Sequence, residues 1–287
     1  MTRLIAGGTV GLLVVVGLSL AVAKGLLSSG GRGEAPGSPA MERPLPATLS
    51  RARAPDGPGT GMAAMEEAGR ANKYLFAYFW RTDNEQTAAM RKVFEDAVKR
   101  VSDRAQSVVI RVDDPAERGI VEKFGLDRAP LPLVLAIAPN GAVMGGFPQK
   151  FSEAQLLDAF GTPCTEKSLK ALQDGKLVFL CVQNGSTRAS QEALKGVSEF
   201  KADKRYADAT EVVILDPTDS AEAPFLADLK IDPKTLAAVT AFLVPPGAVI
   251  AEFKGATDKD ELVAVLQRAN TGCGPGGCGP GGCAPKQ

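Results

Sequence analysis

The residues of this 287-residue chain best suited to chemistry are its five cysteines. Three of them, Cys273, Cys278 and Cys283, recur every five residues in Gly272-Cys273-Gly274-Pro275-Gly276-Gly277-Cys278-Gly279-Pro280-Gly281-Gly282-Cys283. Glycine and proline at those places exclude a regular helix or strand. Three thiolates so linked could surround one soft ion in trigonal geometry, which suits Cu(I) better than four-coordinate Zn. They could equally exchange disulfides or cross-link to another chain, and the segment also reads as a low-complexity tail without a site. Cys164 follows Thr162-Pro163 and opens a predicted helix, whose N-terminus can lower a thiol pKa. It is a candidate reactive thiol, weighed against an unremarkable linker cysteine. Cys181 lies inside the apolar run Lys176 to Val182 and reads as a small hydrophobe. An odd cysteine count leaves at least one thiol unpaired within the chain.

Several chemistries are excluded outright. The chain has no histidine, which removes Ser-His-Asp and Cys-His catalysis and histidine-based zinc sites. Lysine plus arginine equals aspartate plus glutamate, 33 each, and no basic run stands out. A dedicated nucleic-acid binder needs a basic surface, so no nucleic-acid partner is expected.

The flanks come before the elements that would position such thiols. Leu4 to Ala23 is an uncharged apolar run of a length that can cross a bilayer. Residues 1–24 are therefore expected to be a membrane anchor or a signal peptide, the latter because Ala21-Val22-Ala23 has the small-x-small form of a cleavage site. Either reading makes the body of the protein extracytoplasmic, periplasmic if the source is bacterial. Residues 25–61 are rich in Gly, Pro, Ser and Ala and read as a disordered linker.

The rest is an α/β pattern written twice. Residues 62–161 begin with a leading helix and the apolar strand Lys73 to Trp80, whose continuous hydrophobicity predicts cover on both faces. Thr82-x-x-Glu85 predicts a capping box for the next helix, followed by strand 107–112. Asp114-Pro115 predicts an N-cap, Gly125 a helix end, and 133–138 with 142–147 a hairpin. Ser152-x-x-Gln155 predicts the cap of a last helix. The order is β-α-β-α-β-β-α, with the first three strands expected to be parallel. Residues 162–269 repeat it: Lys73 and Lys176 lie 103 residues apart, Asp216-Pro217 echoes Asp114-Pro115, and Pro245-Pro246-Gly247-Ala248-Val249 echoes Pro139-Asn140-Gly141-Ala142-Val143. Residues 270–287 are the Cys-Gly-Pro-rich tail.

This order resembles the thioredoxin-like fold, in two tandem domains. The most specific stretch is Phe124-Gly125-Leu126-Asp127-Arg128-Ala129-Pro130. The resemblance matches Pro130 to the family's cis-proline, with Pro132 as the competing candidate. The family's CxxC would fall near Trp80 to Glu85 and near Gln183 to Arg188, and neither stretch holds a cysteine. Dithiol exchange needs an attacking and a resolving thiol, so catalytic residues are expected to be absent. Arg81, Asp83 and Glu85 occupy the vacated turn and read as a solvated capping turn or a polar-ligand site. The expectation is a non-catalytic binding or scaffold module with a membrane and an unidentified protein as partners. Thiol or Cu(I)/Zn handling by the tail, or an atypical thiol-disulfide oxidoreductase, are the alternatives.

Overall fold

The structure, a computed structural model, describes residues 59–271, with side chains through residue 269. The apolar run Leu4 to Ala23 and the tail cysteines Cys273, Cys278 and Cys283 lie outside the described residues. Among the described residues no helix is long and apolar enough to cross a membrane.

The first unit comprises α1 (Thr60–Arg70), β1 (Tyr74–Trp80), α2 (Glu85–Arg100), β2 (Ala105–Arg111), α3 (Arg118–Lys123), β3 (Leu133–Ile137), β4 (Val143–Pro148) and α4 (Glu153–Leu157). The second repeats the order with α5 (Pro163–Gln173), β5 (Leu177–Val182), α6 (Ser190–Ala202), β6 (Thr210–Leu215), α7 (Ala223–Asp228), β7 (Val239–Val244), β8 (Ala248–Lys254) and α8 (Lys259–Thr271). The strand orders are β2-β1-β3-β4 and β6-β5-β7-β8.

One expectation fails in both units. β1 and β2 are parallel, but β3 runs antiparallel to β1, and β7 to β5. The cause is the length of the intervening helix. α3 and α7 have six residues each, or about 9 Å of rise, whereas a seven-residue strand spans about 23 Å. The chain is therefore not carried back to the starting end of the sheet by its helix. It crosses the end where β1 finishes and enters β3 there, so Leu133 pairs with Phe79.

The continuous apolarity of β1 follows from helices on both faces. Phe76 and Tyr78 pack with Phe94 and Ala97 of α2 and Leu156 of α4. Leu75, Ala77 and Phe79 face Ala68 of α1 and Ile120 and Val121 of α3. β5 is covered likewise: Val178, Leu180 and Val182 meet α5 and α7, while Phe179 and Cys181 meet α6 and α8. At roughly 1.5–3 kcal/mol for each large side chain fully buried, these two central strands are the main stabilising elements of their units.

The units are joined through α5. Tyr74 Oη donates to the Glu166 carboxylate and accepts from Gly161 N–H at 2.9 Å. Gln173 holds both backbone groups of Val143, on the outer strand β4, at 2.9 and 2.7 Å. The Phe160 ring packs against Tyr74 at a tilt of 56°, and the Arg104 guanidinium lies 3.8 Å from the Phe160 ring centroid.

Candidate functional site

The ends of β1 and β5 are where a dithiol would sit, and both are closed by polar contacts. In the first unit the α2 cap is Asn84, whose side chain accepts from Thr87 N–H at 2.9 Å. The expected Thr82/Glu85 capping box does not form, because the chain stays extended through Asn84 and Thr82 uses its carbonyl to accept from Thr87 Oγ1. Tyr78 Oη donates to Thr87 O, and burial pushes its hydroxyl up to about 12. Arg81 pairs with Asp113 at the end of β2 at 3.0 Å and donates to Asp127 O at 3.3 Å. Asp83 and Glu85 stay exposed.

The second turn has a tighter lock. Asn184 donates to Asp216 at 2.9 Å, Thr187 and Ser190 hydroxyls meet at 2.7 Å, and both reach the Asn184 carbonyl. Asp216 also accepts from Thr218 N–H and Oγ, and these bonds hold its carboxyl below the usual range. Asp216 is thus not the helix cap that its resemblance to Asp114 implies. The cap is Asp219, which accepts from Ala221 N–H as Asp114 does from Ala116 N–H.

The strip before the third strand differs between the units. The cis peptide is Leu131–Pro132, not the bond before Pro130. A 3-10 turn over Leu126–Arg128 and an extended Ala129 carry the chain through Pro130, so Pro132 is the proline that abuts Leu133. In the second unit the cis bond, Pro245–Pro246, sits instead in the β7–β8 hairpin. There the strip is paired by the chain itself. Arg188 N–H donates to Leu236 O, and its carbonyl accepts from Ala238 N–H, both at 2.9 Å. This makes an isolated parallel bridge with Ala237. Among the described residues no such bridge reaches Ala129 to Leu131.

Both described thiols are held protonated. Cys164 does open α5, but burial, with the Glu222 carboxylate beside it, pushes its thiol up to about 12. Its Sγ donates to Ile214 O at 3.6 Å. The expectation of a lowered pKa overlooked the buried acid opposite the helix end. Burial pushes Cys181 up to about 11, with the Thr240 hydroxyl across the strand pair pulling the other way.

That buried acid was missed in the sequence, although its signal is there. Glu222 is 3% exposed and accepts from Cys164 N–H at 3.0 Å. Its counterpart Glu117, 5% exposed, takes Gly61 N–H at 2.9 Å and the Thr60 hydroxyl. Each glutamate thus caps the leading helix of its own unit, where free N–H groups favour a carboxylate. The shared spelling is Asp114-Pro115-Ala116-Glu117 and Asp219-Ser220-Ala221-Glu222, 105 residues apart. Matching the Asp-Pro dipeptides hid it. Threonine at position 60 and proline at 163 mark the divergence: Pro163 cannot supply the hydroxyl that Thr60 does.

No group of three or more Cys, Asp or Glu side chains among the described residues is arranged to hold a metal ion. No protein-family model matches the chain, and no curated protein sequence matches it. Solved structures do. The first two thioredoxin domains of Eps1p from Naumovozyma dairenensis match at 11% identity and TM-score 0.28, covering 78% of this chain and 98% of that one. The disulphide isomerase of Xylella fastidiosa Temecula1 matches at 14% identity and TM-score 0.29, covering 39% and 95%. Oxidized thioredoxin O2 of Arabidopsis thaliana matches at 12% and 0.28, covering 34% and 81%. At such scores the likeness bears on neither activity nor partners. The strand order, the same in both units, is what gives the fold: two thioredoxin-like units in tandem.

Proposed function

We propose that the chain is a membrane-tethered, extracytoplasmic scaffold that binds a protein partner without dithiol chemistry. One observation carries this reading: at the end of each central strand, where exchange chemistry needs two thiols, the chain has none, and the polar groups of the turn are bonded to one another. The face offered to a partner is the strip Ala129 to Leu131 of the first unit, where Pro130 is exposed. An extended peptide can add there through the Leu131 N–H and the strip's carbonyls, since the Ala129 N–H is bonded to Leu126 O and Pro130 has none. The equivalent strip of the second unit is already filled by Arg188.

Photo-crosslinking tests this reading. A photoreactive residue in place of Leu131 should capture the partner equally well in the parent chain and in a chain with all five cysteines changed to alanine. The same residue in place of Leu236 should capture it poorly. Capture that vanishes with the cysteines would replace the scaffold by a thiol-dependent reaction.

The regular spacing of Cys273, Cys278 and Cys283 supports a second reading, soft-metal or thiol handling by the tail. Anaerobic competition titration with Cu(I) and Zn(II) should then give tight binding that is lost on removing residues 273–287. Binding unchanged by that truncation would refute it.

A further inference from the structure

A strand at the edge of a sheet carries unpaired backbone donors and acceptors, and folded chains usually block them. The two units treat the same edge differently. β6 is the outer strand of its sheet, and α5 takes its outward carbonyls. Lys167 Nζ donates to Val212 O at 3.3 Å and Cys164 Sγ to Ile214 O at 3.6 Å. β2 is the corresponding outer strand of the first unit. Ala105 pairs with Tyr74 as Thr210 pairs with Leu177, so Ser107 and Val109 stand where Val212 and Ile214 do. In α1 the positions of Lys167 and Cys164 are held by Ala64 and Gly61, which have no side-chain donor. Val112 N–H donates inward to Trp80 O, and the alternation of the strand then turns the backbone of Ser107 and Val109 outward. Among the described residues no hydrogen bond reaches those outward groups.

We propose that this open edge pairs with β2 of a second copy of the chain, antiparallel about a two-fold axis through Val108. In that register Ser107 lies opposite Val109 of the other copy and Ala105 opposite Arg111; the inner pair has all its outward groups free, while in the outer pair the Arg111 N–H and Ala105 carbonyl are free and the Ala105 N–H and Arg111 carbonyl stay with Val101 and Asp114. The groups that face outward meet groups that face outward, which a shift by one residue would not allow. From Ala105 to Ile110 the strand has no charge and no proline to oppose pairing. The charges sit just beyond and complement one another. The register brings exposed Arg111 of one copy to the end of the strand where exposed Asp103 of the other stands in the turn before Ala105, and the symmetry makes two such pairs. The product is one eight-stranded sheet, isologous and closed, so it stops at a dimer.

Sedimentation equilibrium of the full chain in detergent, with reductant present to keep the tail cysteines from cross-linking, measures this directly. The protein mass should be that of a dimer. Val109→Pro removes an N–H that the chain's own sheet does not use, so the dimer should be lost while the circular-dichroism melt is unchanged. Ala64→Lys, which copies the Lys167 block, should weaken the dimer too. Arg111→Glu should weaken it about tenfold, and adding Asp103→Arg should restore it. A monomer at every soluble concentration would overturn the proposal. So would a dimer that Arg111→Glu and Val109→Pro both leave intact, or an Arg111→Glu loss that Asp103→Arg does not rescue.

Discussion

Cys164 has the position of a reactive thiol and the surroundings of an inert one. A helix N-terminus attracts the thiolate, but Glu222 already occupies it and burial adds to the cost of the charge. The spacing Thr162-Pro163-Cys164 was legible as a helix start, and it was correct, with Thr162 as the cap. What it could not show was an acid 58 residues away in sequence folding over the same N–H. With the pKa raised, the thiolate fraction falls, and reactivity with it. At pH 8 both Cys164 and Cys181 should therefore resist iodoacetamide in the folded chain and react only after denaturation, as peptide mass spectrometry would show. Fast labelling of Cys164 in the native protein would contradict the buried carboxylate beside it. Asp203 makes the opposite case. It accepts from Arg205 and from Lys259 Nζ, and these bonds hold its carboxyl far below the ordinary range. A depressed folded pKa gives stability that is present above the unfolded value of about 3.9 and is lost as pH falls below it. Asp203→Asn should remove that part of the acid sensitivity, so the variant and parent melting temperatures should differ at pH 7 and converge toward pH 2.

At the scale of elements, the sequence showed which segments are helices and strands better than how they run. The apolar stripes, Ser152-x-x-Gln155 and Gly125 all fall where their residue types imply, the capping box with both bonds formed and Gly125 at φ 61°. Strand direction is not legible in the hydrophobic pattern, which marks a helix there without fixing the short lengths of α3 and α7 on which the direction depends. The helix after β5 begins only at Ser190. Residues 183–189 are held instead as a polar turn ending in Ala189 at φ 59°, which no hydrophobic pattern reports. Gly196, in the middle of α6, is another element-level feature that the pattern did not explain. A Cβ there would lie 2.1 Å from the Thr257 carbonyl oxygen, so the glycine is what lets α6 approach the turn before α8. Gly196→Ala should therefore destabilise the second unit by about 1–3 kcal/mol despite alanine's better helix propensity, measurable by urea unfolding. A neutral or stabilising result would mean that the helix and turn are free to separate.

For the whole molecule, two units share one framework and differ in their surfaces. The central strands, the Asp-x-Ala-Glu caps and the strand orders are kept, while edges and end turns have diverged. The units are joined by hydrogen bonds of Tyr74 with Gly161 and Glu166 and of Gln173 with Val143 on the β4 edge. Each hydrogen bond of this kind is worth on the order of 1 kcal/mol net. Combining Tyr74→Phe with Gln173→Ala should therefore weaken the junction enough to turn one calorimetric transition into two. A single unchanged transition would show that Phe160 and its packing suffice to couple the units.

We propose that this tandem fold keeps the thioredoxin-like framework and carries no dithiol reaction. The reduction of insulin by dithiothreitol, followed by turbidity, tests that claim most directly when run with the full chain and with a chain lacking residues 273–287. Neither protein should accelerate precipitation above the dithiothreitol control. Acceleration by both would contradict the claim for the folded units themselves, and acceleration by the full chain alone would move the activity to Cys273, Cys278 and Cys283.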